Sequence, residues 1–187
     1  MTARFEIEAT PISGVYLLER IPVADERGWL ERLYAAEDLD AVLGGRTIVQ
    51  VNRTLTRATG AVRGLHYQRA PSAEAKIVSC LRGAAFDVAV DLRRDSPTFL
   101  QWYAETLSAQ NHRSLLIPEG VAHGFQALAD DCELLYLHTA EYDPAAEGGL
   151  HPGDPRLAIA WPLPIEHLSD RDASHPLIGP AFDGIVV

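Results

Sequence analysis

The segment Ile77–Leu92, IVSCLRGAAFDVAVDL, decides the fold. It holds two runs of strand length, Ile77–Leu81 and Ala85–Leu92, rich in Val, Ile and Phe and parted by the turn pair Arg82-Gly83. The same rhythm continues on both sides, with runs at Gly14–Ile21, Thr47–Asn52, Trp102–Leu107, Ser114–Ile117, Gly124–Ala127 and Glu133–Thr139. Asp95-Ser96-Pro97, Pro118-Glu119-Gly120 and Asp143-Pro144 supply the turns. Only Ala35–Leu43, AAEDLDAVL, has helical spacing, with Gly44-Gly45 to stop it. Many short strands and one early helix predict an all-β protein, a closed barrel or two packed sheets.

Beyond Asp143 the pattern changes. Pro144, Pro152, Pro155, Pro162, Pro164, Pro176 and Pro180 each remove a ladder donor, so no regular sheet is expected there. Leu157-Ala158-Ile159-Ala160-Trp161 still has apolar surface to bury. Residues 143–187 are therefore predicted to form an ordered wrap over a core spanning about 10–142, within one domain of 187 residues.

Composition is that of an ordinary globular protein, 47% hydrophobic and 22% charged. No apolar run approaches the roughly 20 residues that span a bilayer, and MTARFEIEAT lacks a signal-peptide core, so a cytoplasmic protein with no membrane partner is expected. Cys80 and Cys132 lie in separate apolar runs and read as reduced core thiols; without a CxxC pair a structural zinc is not expected. A net charge of −10 argues against nucleic acid as a partner, but leaves room for a small anion held by a local arginine cluster.

The chemistry concentrates in Ala61–Lys76, AVRGLHYQRAPSAEAK. Arg63 offers a fork of donors to phosphate or carboxylate, His66 is a base near neutral pH, and Lys76 can steady an oxyanion. Together they suit an anionic substrate that must lose a proton. Other candidates are the turn Asp25-Glu26-Arg27-Gly28-Trp29, the pair Gln50 and Asn52 on one strand face, His123 entering an apolar strand, and Tyr136. His66, His123 and Glu119 resemble part of a metal site, but no His-x-His pair is present and Lys76 would repel a dication. No metal is expected.

Four motifs in one order carry a resemblance to a known family: Arg63-Gly64-Leu65-His66-Tyr67-Gln68, Phe86–Arg93 with Ser96-Pro97-Thr98-Phe99, Ile117–Phe125, and Leu168-Ser169-Asp170-Arg171-Asp172-Ala173. From about Thr10 to Pro176 the chain resembles the dTDP-4-dehydrorhamnose 3,5-epimerases. That resemblance implies a cupin-type jelly roll, a homodimer, no cofactor, and a nucleotide-sugar substrate, a dTDP-4-keto-6-deoxyhexose. It implies catalytic roles for four residues: His66 as base, Asp172 as its carboxylate partner, Lys76 at the C4 oxygen and Tyr136 as acid. Arg27 and Arg63 would grip the diphosphate, Arg27 from a partner subunit. Trp29, Gln50, Asn52, His123, Tyr142, Glu147 and Arg171 would complete the substrate pocket.

Two departures stand out. Arg32 occupies a position where the family usually has Glu, with Glu31 beside it, which leaves the nucleobase end open and Trp29 to stack on the base. His151-Pro152-Gly153-Asp154-Pro155 replaces the usual Trp-Asn-Asp-Pro. The alternatives are an epimerase acting at C3 or C5 only, a non-catalytic sugar-nucleotide-binding cupin, and a metal-dependent cupin oxygenase.

Overall fold

The computed structural model describes residues 3–187. One antiparallel sheet has six strands, in the order β1 (Phe5–Ala9), β2 (Tyr16–Arg20), β10 (Arg113–Ile117), β7 (Lys76–Arg82), β12 (Cys132–His138) and β5 (Gln50–Thr56). A second, of five strands, runs β13 (Glu147–Gly149), β6 (Val62–Gln68), β11 (Val121–Ala127), β8 (Ala84–Asp91) and β9 (Trp102–Ser108). A separate ribbon pairs β3 (Val23–Asp25) with β4 (Gly28–Leu30). The helices are α1 (Ala36–Leu43), ended by Gly44 in the left-handed region, and the single turn α2 (Asp170–Ala173).

Alternation along each strand builds three apolar layers. Val78, Leu115, Ile117 and Leu134 of the first sheet meet Ala85, Ala89, Leu107, Val121 and Phe125 of the second. Their sequence neighbours Ile77, Leu116 and Leu137 point the other way, onto Leu39 and Leu43 of α1. Leu65, Val88, Val90 and Ala122 leave the second sheet for the C-terminal segment, where Leu150, Leu157, Ile178 and Ile185 cover them. The central strands are thus buried on both faces, which is why they read as continuous apolar runs rather than alternating ones. The result is the all-β cupin-type jelly roll.

The proline-rich tail wraps as expected. Trp102 Nε1 donates to Leu157 O, and Trp161 Nε1 to Pro152 O. The buried Gln126 amide donates to Gly60 O, Leu163 O and Pro164 O, and its Oε1 accepts from Leu163 N. One side chain thereby supplies the hydrogen bonds that a ladder would have supplied. Cys80 and Cys132 are buried free thiols.

Three differences from the expected elements have local causes. The expected strand Thr47–Asn52 starts at Gln50 and continues to Thr56, because β5 is a sheet edge whose inward face carries the polar residues Gln50, Asn52, Thr54 and Thr56, so no apolar alternation marks its extent. β6 was hidden by its glycine and polar side chains. β1 has four exposed residues out of five, so little apolar pattern marks it. Replacing Gln126 with Leu leaves the Leu163 and Pro164 carbonyls and the Leu163 amide without partners, while Gly60 O keeps the bond from Glu166 N; we expect a loss of about 2–3 kcal/mol in urea unfolding, with faster proteolysis around Leu163. Unchanged stability would show that the tail is held by its apolar contacts alone.

Candidate active site

Register collects the polar side chains at one end of the space between the sheets. Inward residues run Lys76, Val78, Cys80 along β7 and Cys132, Leu134, Tyr136, His138 along β12, while β5 contributes Gln50, Asn52, Thr54 and Thr56. Antiparallel pairing sets His138 beside both Lys76 and Gln50, and Tyr136 beside Asn52. On the facing sheet His66 of β6 is paired with His123 of β11. Between them lies a cavity of about 920 Å3.

Gly64 and Gly124 make this arrangement possible. A Cβ on Gly64, whose φ is +121°, would lie 2.6 Å from Gly124 Cα, and one on Gly124 would lie 2.9 Å from Arg63 O. Only glycine at both positions lets β6 and β11 approach where their register shifts, between His123 and Phe125. Arg63 and His66 then enter the cavity from either side of Leu65, which is buried outward.

His66 Nε2 lies 2.8 Å from Asp172 Oδ1, and Asp172 Oδ2 accepts from Gly64 N at 3.2 Å. Ser169 caps α2 by accepting from Asp172 N, which fixes the carboxylate's own backbone. Burial alone would raise the Asp172 pKa; the hydrogen bond and charge of His66, Gly64 N and Arg171 overcome it and bring it to about 2. An ionised carboxylate only accepts, so Nε2 carries the imidazole hydrogen and Nδ1 keeps its lone pair. Arg171 Nη2 lies 3.0 Å from the same Nε2 without bonding it, since both are donors; its Nη1 donates to Glu147, which also accepts from the Tyr142 hydroxyl at 2.9 Å.

The opposite wall is equally organised. Burial, followed by the charge of Asp87, raises the Tyr136 pKa well above the ordinary phenol range, so the hydroxyl stays protonated. Its ring packs edge-on to His123 at 5.8 Å and stacks on His138 at 5.9 Å. His123 Nε2 is bonded to the buried Asp87 at 2.8 Å. Arg63 reaches from β6 to Thr56 Oγ1 of β5 at 3.1 Å, joining the two sheets at the rim. Asn52 Nδ2 lies 3.4 Å from His138 Nε2, while Gln50 Oε1 accepts from Tyr142 N beside a recess of about 60 Å3.

His66, Asp172, Lys76, Tyr136, Asn52, Arg63, His123, Tyr142, Glu147 and Arg171 all line the large cavity, and Gln50 lines the adjoining recess. Arg27 and Trp29 do not. They lie on the exposed β3–β4 ribbon, where Arg27 pairs with Asp25 and Trp29 packs on His112. Glu31 bonds the buried Arg20 at 3.0 Å and His112 at 2.9 Å, and Arg32 pairs with Asp38. Glu119, weighed as a metal ligand, pairs instead with Arg46 and does not line the cavity. His66, Asp172 and His175 do bring ligand-type atoms within 4.8 Å of one another, yet the Arg171 guanidinium lies against the first two and opposes a cation.

A family model described as dTDP-4-dehydrorhamnose 3,5-epimerase matches residues 9–179. The chain belongs to this family. It is 42% identical over 175 residues to the dTDP-4-dehydrorhamnose 3,5-epimerase of Salmonella typhimurium, covering 92% of this chain and 95% of that one. A Streptomyces niveus dTDP-4-dehydrorhamnose 3-epimerase is 40% identical, over 92% of this chain and 83% of the relative. Among solved structures, a Legionella pneumophila 3,5-epimerase in complex with dTDP-4-keto-L-rhamnose superposes with a TM-score of 0.88 at 40% identity, covering 92% of each chain.

Four members of the site escaped the sequence reading: Asp87, Glu74, His138 and His175. A carboxylate within the apolar run Phe86-Asp87-Val88 was a legible signal, since buried charges need partners. Glu74, Asp91 and Asp172 are each held at about 2, below the ordinary carboxylate value of about 4. Their ionised forms stabilise the folded chain above about pH 4, and this contribution disappears as pH falls through about 2. Urea midpoints should therefore drop steeply between about pH 4 and 2, and Asp172→Asn should shallow that drop. An unchanged pH profile in the variant would contradict the Asp172 geometry.

Proposed function

We propose that this protein epimerises dTDP-4-keto-6-deoxy-D-glucose at C3 and C5, giving dTDP-4-keto-L-rhamnose, as one cupin-like domain acting in the cytoplasm. The observation that carries this reading is the placement of a base and an acid on facing sheets: His66 with Asp172 on one side of the cavity, Tyr136 on the other. Inversion at carbon requires a proton to leave one face and return to the opposite one.

The C4 carbonyl acidifies the hydrogens on C3 and C5. His66, through its free Nδ1 lone pair, takes one of them; Asp172 offsets the imidazolium that forms. Negative charge moves to the C4 oxygen, where the Lys76 ammonium meets it. Tyr136, kept protonated by its burial, delivers a proton to the other face. Arg63 and Arg171 supply positive charge for the diphosphate in a chain whose net charge is −10, and this remote grip positions the reacting carbon.

The same reading includes a homodimer in which Arg27 and Trp29 reach a partner's cavity. Exposed Val23, Trp29 and Leu30 on the ribbon, with Val51 and Leu55 on the edge strand β5, support it.

Incubation with the 4-keto-6-deoxy sugar nucleotide in deuterium oxide, followed by NMR, tests the function. Deuterium at C3 and C5 with both centres inverted is the expected result, and His66→Ala should slow exchange by about 100-fold or more. Label at C3 alone would assign the chain to the single-position chemistry named for the Streptomyces niveus relative. Wild-type exchange in His66→Ala would remove His66 as base.

A further inference from the structure

Lys76 is the only lysine in the chain; the other fifteen of its sixteen basic residues are arginines. It is 6% exposed, and its side chain lines the cavity. Its Nζ lies 2.6 Å from Glu74 Oε1, and among the described residues Glu74 is its one ion-pair partner. Glu74 Oε2 accepts from His138 Nδ1 at 2.7 Å, and the other nitrogen of that ring faces Asn52 Nδ2 at 3.4 Å. Donors and acceptors match along the whole row when His138 is neutral: Asn52 amide to Nε2, Nδ1–H to carboxylate, ammonium to carboxylate.

Burying an ammonium disfavours its charged form, and a neutral amine in this place would be a poor partner for an oxyanion and a nucleophile toward a ketone. A lone buried cation is also costly unless paired. We propose that Glu74 is a positioning residue for this reaction: it keeps Lys76 protonated and aimed, spending one N–H on the carboxylate and leaving two for the C4 oxygen. His138 holds Glu74 from the other side, and stacks on Tyr136, so one carboxylate ties the oxyanion partner to the acid's neighbour. The inference rests on the catalytic reading above and extends it to residues that reading does not use. Burial would by itself raise the Glu74 pKa; the hydrogen bond from His138 and the charge of Lys76 bring it down to about 2, so the carboxylate is ionised throughout the working range. The groups able to influence Lys76 are Glu74, Tyr136 and His138 beside it, and Arg63, His66 and His123 on the facing sheet.

A single lysine makes the test direct. In protein labelled with 13C,15N-lysine, the one Cε–Nζ spin system reports the protonation of Lys76 without substrate. In the wild-type chain the Nζ–H signal, lost to exchange in solvated amines, is expected to be visible near neutral pH; its absence would overturn the pairing. In Glu74→Gln the midpoint of the Cε titration is expected to fall by about one pH unit or more, with kcat down about tenfold or more and KM changed much less. Glu74→Asp, which keeps the charge, is expected to restore most of the midpoint. A midpoint that does not move in Glu74→Gln, or that moves equally in Glu74→Asp, would overturn the assignment. Because the NMR measurement needs no substrate, it separates this inference from the proposed reaction: absence of wild-type exchange in deuterium oxide would sink the reaction and leave the Lys76–Glu74 pairing to be judged by the titration.

Discussion

The register of β7, β12 and β5 is the constraint on which the site depends. Pairing His138 with Lys76 and with Gln50, and Tyr136 with Asn52, brings the polar ends of the apolar strands β7 and β12 and the polar face of β5 to one mouth of the sandwich. A slip of one residue would turn Lys76 and Tyr136 to the face covered by α1 and bring Ile77 and Leu137 into the cavity. Such a slip is opposed by the apolar layers themselves, because Val78 and Leu134 on one face and Ile77 and Leu137 on the other are all buried. The same residues that stabilise the fold therefore aim the chemistry.

Charge is handled locally against an acidic background. Arg63, Lys76 and Arg171 line the cavity, and the buried carboxylates in it are engaged, Asp172 by His66 and Gly64 and Glu74 by Lys76 and His138; behind it, Asp87 is held through one oxygen by His123. Pairing makes burial tolerable and sets protonation at the same time. A depressed Asp172 pKa keeps the dyad carboxylate ionised, while the elevated Tyr136 pKa keeps its phenol a donor. Two environments, one polar and hydrogen-bonded, one apolar and deep, separate the acid from the base that we propose.

Much of this was legible in the chain. The runs around Ile77–Leu92 marked central strands because both faces of each are buried, and Ala35–Leu43 marked α1 by its spacing and its glycine stop. His66, Lys76 and Tyr136 stood out as candidates from their residue types and settings, Asp172 came through the family resemblance, and all four line the cavity. Spacing alone gave no access to Asp172, which lies 106 positions from His66 and is brought in by a tail held through Gln126 and two tryptophans. Glu74 and His138 were missed for a related reason: their meaning lies in a cross-strand pair that only register reveals. Arg27 and Trp29 were expected at a pocket, and the ribbon that carries them lies outside the cavity of their own chain.

The central claim is that proton removal and proton return belong to different sheets. It is tested most directly by the stereochemistry of deuterium uptake in Tyr136→Phe, with the 4-keto-6-deoxy sugar nucleotide in deuterium oxide. If His66 abstracts and Tyr136 reprotonates the opposite face, this variant still exchanges hydrogen but returns deuterium mainly with retained configuration. Inverted product formed at the wild-type rate would contradict that division of labour, as would complete loss of exchange in a folded variant.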